Sequence, residues 1–428
     1  MSTLQVEIVN TGSELMLGRV LNTHQQWLCR RLADLGLPVQ RQVAVSDTAD
    51  DITSALRESF SRADWIFCTG GLGPTSDDLT RDALAEMLGL KLREDPVTLD
   101  RIAAFFAARN RPMPDSTRVQ ALIPEGAIVL PNHHGTAPGL VIRSDPNPWR
   151  TDRKASWLVM LPGPPRELYP MFQDQVIPLI QRHREPGATF ACKTLKTHGL
   201  GESWVEQRVA APLRQWVERG LGIGYCARVG EVEVRLAASG ANAVELVSQG
   251  EALVRSVLGN YIYGEEDDQL PGVVVRELTR AGRTLALAES CTGGGISNRI
   301  TNVPGASAVL IQSWVTYANA AKTSQLGVPA ALIESEGAVS EPVARAMAEG
   351  ARARSGADFA LSVTGIAGPS GGTPQKPVGT AYVGLATPER TVVKHCLNPV
   401  DRETFKYVTS QQALELLRRT LLGVSSDD

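Results

Sequence analysis

Apolar and polar positions alternate in two rhythms along the first ninety residues, and the rhythms interleave. Gln5–Val9, Val39–Val45 and Asp64–Cys68 carry the short apolar runs of strands. Asn22–Leu35 shows the period of an amphipathic helix and stops at Gly36 and Pro38. Thr48–Arg62 is a second helix with an acidic first turn, and a third is expected to start near Ser76–Asp78 and end at Gly89. This order predicts a parallel sheet with helices on its faces. Sites in such sheets lie beyond the carboxyl ends of the strands, where the unusual loops Thr11–Glu14 and Thr69–Asp78 fall.

Further along, residues 143–156 are polar and read as an exposed loop, and Trp157–Leu161 resumes a strand that Pro162-Gly163-Pro164-Pro165 breaks. The pattern then predicts a helix at Phe172–Arg182, a strand at Phe190–Thr197, a helix at Glu202–Trp216, a strand at Glu231–Ala237 and a helix at Ala243–Leu258. Gly264–Gln269 is acidic and polar, as a linker would be. Beyond Leu270 strands are expected at 284–288, 358–363, 379–386 and 391–397, with helices at 340–354 and 402–421. The fold class expected is α/β: two three-layer α/β domains, 1–170 and 265–428, joined by a small α+β domain at 171–264.

The chain has 428 residues, too many for one ordinary core, and a formal charge of −3. That balance argues against nucleic acid as a partner, since such surfaces need a basic excess. The six cysteines are scattered with no Cys-x-x-Cys pair, which fits a reducing compartment and neither a disulfide framework nor a structural zinc site. No apolar run approaches the ~20 residues of a membrane span. The first ten residues lack the basic-then-apolar order of a signal peptide, so a cytoplasmic location is expected.

The candidate chemistry gathers in two places. In the C-terminal half, an apolar run ends at Ser290, three glycines follow, and a helix pattern begins. A serine at a strand end, at the mouth of a helix, suits a nucleophile, with N–H groups near Thr292, Gly293 and Gly294 to receive an oxyanion. Histidine is the usual base, but this half offers only His395, on an outer strand. Lys322 can substitute if burial brings its amine toward neutrality, with Tyr317 relaying a proton. Taken singly, each residue has a bland reading: Ser290 a helix cap, Tyr317 a core aromatic, Lys322 a solvated side chain. Cys291 competes as nucleophile but should point the other way. The loop from Ser362 to Thr373, with Thr364, Gly365, Gly368, Gly371 and Gly372, is glycine-dense enough to bring backbone donors against a ligand. In the N-terminal half, Gly70, Gly71 and Gly73 could cradle a phosphate, with Asp77 and Asp78 beside them as metal ligands or as helix caps.

The sequences Ala288-Glu289-Ser290-Cys291-Thr292-Gly293-Gly294, Val315-Thr316-Tyr317-Ala318-Asn319-Ala320-Ala321-Lys322, Gly337-Ala338-Val339-Ser340 and Lys376-Pro377-Val378-Gly379-Thr380 resemble the C-terminal domain of the CinA family. That resemblance implies hydrolysis of nicotinamide mononucleotide (NMN) to nicotinic acid mononucleotide and ammonia. It implies Ser290 as nucleophile with Tyr317 and Lys322, no cofactor for this domain, and Arg402 and Lys406 at the substrate phosphate. The second position of that pair is more often arginine, whose planar fork lysine lacks. Residues 1–170 resemble the molybdopterin-binding type of domain through Thr11-Gly12-Ser13-Glu14-Leu15, Gly18 to Asn22, Thr69 to Asp78, and Asn132 with Gly135 to Gly139. In CinA proteins this implies ADP-ribose cleavage with a divalent metal at Asp78 and Asp77, and a nucleotide held by Thr11, Gly12, Glu14, Gly70, Gly71, Gly73 and Thr75. His133, His134 and Arg166 depart from the family pattern. The middle segment sits where long CinA proteins carry a KH-like domain, but it shows no basic Gly-x-x-Gly clamp for RNA. A homodimer is implied by resemblance alone. The rival readings are a pterin- or nucleotide-binding protein and a competence-related scaffold with an inactive N-terminal domain.

Overall fold

The computed structural model describes residues 4–183 and 189–424; residues 1–3, 184–188 and 425–428, the last of which end the 265–428 segment, lie outside the described residues. The chain divides into two compact units, Met1–Ala191 with Ser239–Ala241, and Cys192–Ala238 with Asn242–Asp428.

The first unit is built on a six-stranded sheet ordered Arg41–Val45, Val6–Thr11, Trp65–Thr69, Ser156–Leu161, Gly139–Ser144, Ile128–Leu130. The first four strands are parallel, and Gly139–Ser144 runs antiparallel to both of its neighbours. Alternation along the strands divides the core. Val6, Ile8 and Phe67 pack on one face with Leu28 and Leu32 of the helix Thr23–Asp34, while Val9, Ile66 and Cys68 pack on the other with Ile52 and Leu56 of Ala49–Phe60. Each such buried aliphatic stabilises by roughly 1.5–3 kcal/mol. The helices open on side-chain caps. Asn22 accepts from the Gln25 N–H, and Thr48 accepts from the Asp51 N–H, each contributing about 1 kcal/mol.

Two expectations shift here. The third helix runs Thr80–Leu88, so Asp77 and Asp78 stand in the loop before it and cap nothing. Asp78 Oδ2 accepts from the Thr75 N–H at 2.9 Å and from Thr75 Oγ1 at 2.5 Å, closing a turn that delays the helix. The segment Phe172–Arg182, expected to open the middle domain, continues the helix Pro165–Met171 through a widened turn at Phe172–Val176. Its Phe172, Val176, Leu179 and Ile180 lie in the core with Val6 and Ile8.

The second unit carries two sheets. One is four-stranded, ordered Gly222–Arg228, Glu231–Ser239, Phe190–His198, Ile262–Glu265, and accompanied by the helices Glu202–Glu218 and Ala243–Leu258. The other is five-stranded, ordered Leu310–Val315, Leu285–Glu289, Phe359–Gly365, Thr380–Ala386, Thr391–Leu397. Its first three strands are parallel, and Thr380–Ala386 runs antiparallel to both of its neighbours. Leu285, Leu287 and Val363 face Phe405 and Leu414 of the last helix, while Ala286 and Ala288 face Val343 and Met347. A sheet between two helical layers results, as expected for the α/β class. The register pairs Glu289 with Val315 on one side and Val363 on the other. Ser290, Thr316 and Thr364 are therefore brought side by side at one end of the sheet. Among the described residues no helix is long and apolar enough to cross a membrane.

Candidate functional site

Ser290 follows directly on the buried strand Leu285–Glu289, and its N–H donates to Val363 O at 3.0 Å. Lys322 sits in the first turn of the helix Asn319–Leu326, and only 1% of it is exposed. Its Nζ lies 3.0 Å from Ser290 Oγ, 2.8 Å from the Thr316 carbonyl and 3.3 Å from the Tyr317 carbonyl. Nothing ionic offsets this burial among its hydrogen-bond partners. Desolvation lowers the Lys322 pKa from the ordinary 10.5, favouring the uncharged amine. A neutral amine has two protons and one lone pair. Nζ donates to the two carbonyls and is in hydrogen-bond contact with the Ser290 hydroxyl; in the uncharged form its lone pair is free to take that hydroxyl's proton.

The competing thiol is removed by the same geometry. Cys291 is buried, its pKa is pushed up to about 12 by desolvation, and its Sγ lies where a side chain on Gly365 would meet it at 3.1 Å. His395, in the outermost strand, packs against Tyr382 with ring centroids 4.9 Å apart and planes tilted by 33°.

Tyr317 departs from the expected relay. Its side chain is 61% exposed, and its hydroxyl accepts from Arg402 Nη2 at 2.9 Å; only its backbone carbonyl touches Lys322. The strand end turns the ring outward after Thr316, so the buried pair is Ser290 and Lys322. Arg402 also donates to Gly368 O at 2.8 Å, tying the last helix to the glycine-rich loop and to Tyr317. Lys406, one turn further along, places its Nζ over Gly293, 3.6 Å from where a Cβ would stand. Both cations thus edge the site, although Arg402 spends its fork on protein atoms.

The glycines are there for backbone reasons. Gly293 and Gly294 hold φ of 63° and 91°, and Gly368 and Gly371 hold 73° and 93°. A side chain on Gly372 would meet Val378 N at 2.7 Å. Two hydroxyls expected at the substrate are used internally. Thr364 Oγ1 donates to Ala338 O at 2.8 Å, and Thr292 Oγ1 donates to Glu289 Oε2 at 2.7 Å.

Glu289 itself was not legible as a site residue. It is fully buried and accepts from Thr292 Oγ1, Ile296 N, Ser297 N and Ser297 Oγ. It thereby takes up the first free N–H groups of the helix Gly295–Thr301, so that helix end is not open to an oxyanion as expected. The Gly293 N–H is also used, donating to Ser290 O at 3.1 Å, while the Gly294 N–H has no protein acceptor among the described residues. The one signal in the sequence was a lone carboxylate closing the apolar run Leu285–Ala288.

In the first unit, the loops after the four parallel strands enclose a cavity of about 480 Å³. Thr11, Gly12, Glu14, Gly70, Gly71, Gly73, Asp77 and Asp78 line it; Thr75 does not, and acts through Asp78. The wall also contains Thr69, which opens the glycine loop, and His24, Asp47, Gln120 and Glu167, which the sequence did not single out. His24 Nε2 lies 3.1 Å from Thr69 Oγ1, which donates onward to Asn10 Oδ1, and burial lowers the His24 pKa, favouring the neutral ring. Hydrogen bonding with Thr75 holds the Asp77 carboxyl below its ordinary range. A Cβ on Gly70 would meet the Thr11 carbonyl at 2.5 Å, so glycine is what lets those two loops touch. His133 and His134 are exposed. Among the described residues no three His, Cys, Asp or Glu side chains come together as a metal cluster.

The model of the CinA C-terminal domain matches residues 267–421, that of the "Probable molybdopterin binding domain" residues 7–182, and that of the damage-inducible protein CinA KH domain residues 192–264. A CinA-like protein of Akkermansia muciniphila is 44% identical over 415 residues, covering 97% of each chain. The chain belongs to the CinA family. A CinA-like protein of Gemmatimonas aurantiaca is 39% identical over 431 residues, covering 99% of this chain and 98% of its own. The crystal structure of the competence/damage inducible protein CihA from Agrobacterium tumefaciens is 38% identical over 36% of this chain and 93% of its own, with a TM-score of 0.35.

Proposed function

We propose that this CinA protein is a two-activity hydrolase of pyridine nucleotides. Its C-terminal domain deamidates NMN through an ester on Ser290. The observation that carries this reading is the 3.0 Å approach of a buried, desolvated Lys322 amine to the Ser290 hydroxyl. Lys322 takes the hydroxyl proton as Ser290 Oγ attacks the carboxamide carbon. The Gly294 N–H, in the turn that follows the nucleophile and without a protein acceptor among the described residues, is the donor offered to the oxyanion. The ammonium of Lys322 then returns its proton to the leaving nitrogen, which departs as ammonia, and water attacks the ester with Lys322 again as base. Lys406 and Arg402 supply positive charge at the edge of the site for the mononucleotide phosphate.

The N-terminal domain, in the same reading, cleaves ADP-ribose at its pyrophosphate, with the glycine loop against the phosphates. Asp78 and Asp77 suit a divalent cation that is shared with phosphate oxygens, since such cations are commonly held by one or two carboxylates plus the substrate. Asp78 Oδ2 is occupied by Thr75, which leaves Oδ1 for the cation. A bound cation would neutralise charge developing on the phosphates.

Two assays test the pair of activities. Purified protein is expected to release ammonia from NMN, and Ser290→Ala is expected to release none above background; release surviving in Ser290→Ala discards the ester mechanism. ADP-ribose cleavage is expected to stop with EDTA and return with added divalent cation; cleavage indifferent to chelation discards the metal.

A further inference from the structure

Residue 289 connects both halves of the buried pair. Its backbone carbonyl accepts from the Thr316 N–H at 2.8 Å, and Thr316 in turn presents the carbonyl that holds Lys322 Nζ. Its side chain, with no exposed surface, uses both oxygens twice. Oε2 takes Thr292 Oγ1 at 2.7 Å and the Ile296 N–H at 3.0 Å; Oε1 takes the Ser297 N–H and Ser297 Oγ, each at 2.8 Å. Ser297 Oγ also contacts Ser313 Oγ, on the strand that leads to Thr316 and Tyr317. Four donors on one carboxylate form a closed bracket around the turn Ser290–Gly294.

The Lys322 pKa lies below its ordinary value, with desolvation as the dominant cause. The Glu289 carboxylate is bonded instead to two helix N–H groups and two hydroxyls.

We propose that Glu289 is a positioning residue for the Ser290 reaction. It fixes the nucleophile turn through its carboxylate and the strand end that leads to the base through its backbone carbonyl. This rests on the reading of Ser290 as nucleophile. Misplacement of a reacting group by about 1 Å can cost roughly 100-fold in rate, and loss of this bracket is expected to act on kcat.

The test uses Glu289→Gln in the full chain, with two readouts. One is NMN turnover. The other is the rate at which phenylmethylsulfonyl fluoride sulfonylates Ser290, followed by mass spectrometry, which needs no particular natural substrate. Glutamine keeps the size but offers one acceptor oxygen, so two of the four donors lose their partner. Expected are a fall of roughly 10- to 100-fold in kcat and in labelling rate, a KM within about threefold, and an acid limb of the pH profile at the wild-type position. Ser297→Ala, which removes one hydroxyl donor and leaves the carboxylate in place, is expected to fold as wild type and to lower both rates about threefold. Unchanged labelling in folded Glu289→Gln and in Ser297→Ala overturns the proposal. An acid limb that moves in Glu289→Gln also overturns it, because Glu289 would then be acting on Lys322 through its charge. Ser290 that labels in wild type while NMN is left intact counts against the NMN reading alone.

Discussion

The two candidate sites of this chain stand on similar sheets and are built in opposite ways. Around Ser290 the polar atoms are already bonded to one another: hydroxyl to amine, amine to two carbonyls, carboxylate to four donors. Around the glycine loop of the first unit there is instead a cavity of about 480 Å³, lined by carboxylates, hydroxyls and glycines. The first arrangement suits bond-making by protein groups, which must be held in place before substrate arrives. The second suits a large anionic ligand that brings part of its own chemistry, including the oxygens that complete a metal's shell. The comparison teaches that a strand-end loop is a general platform, and that the side chains beneath it decide which kind of chemistry it hosts.

Four measurements press on that contrast. The largest effect is expected from Lys322→Leu, which keeps the burial and removes the base. NMN deamidation should fall by about 1000-fold with ADP-ribose cleavage unaltered, and retained deamidation would show that the preassembled pair is not the engine. Next is Asp78→Asn, expected to cut metal-dependent ADP-ribose cleavage by about 100-fold and leave NMN deamidation alone. A comparable loss in both activities would break the separation. Smaller is Lys406→Ala, expected to raise the KM for NMN about tenfold with little change in kcat, read from steady-state kinetics.

The smallest effect is on stability. The folded-state pKa of Lys322 is below the ordinary 10.5, so between the two values the unfolded chain binds a proton that the folded chain does not. Stability from this group therefore rises with pH across that window and is lost as pH falls through it. Melting temperatures of wild type and Lys322→Leu, compared over the alkaline range, should diverge as pH is lowered, with wild type losing ground. Parallel curves would mean that Lys322 is charged when folded. The same depressed value puts the acid limb of kcat/KM for NMN below the pH of an ordinary lysine.

Much of this was legible in the residues. The strands Val6–Thr11 and Leu285–Glu289 and the glycine turns after Thr69 and Ser290 stand where apolar alternation and glycine punctuation put them. Ser290 and Lys322 meet because parallel strands deliver both loops to the same sheet end. What stayed hidden has identifiable causes. Periodicity reports which face a residue takes but not the direction of the neighbouring strand, so the antiparallel pairing of Thr380–Ala386 and Thr391–Leu397 was not visible. Asp77 and Asp78 have the composition of a helix start, and only the Thr75 contacts reveal a turn. Tyr317 lies at the right distance along the chain, but its exposure depends on how the strand ends. Glu289 reads as one more residue of a strand until the donors that converge on it are seen.

Cys291 holds a last consequence. Sealed against Gly365 and pushed up to about 12, this sulfhydryl neighbours the reactive hydroxyl yet is withheld from alkylation and oxidation, whereas Cys226 lies open to solvent. An alkylating agent such as iodoacetamide is expected to react first at Cys226, ahead of the partly buried Cys29 and Cys192, and to leave the hydrolysis proposed for Ser290 undisturbed.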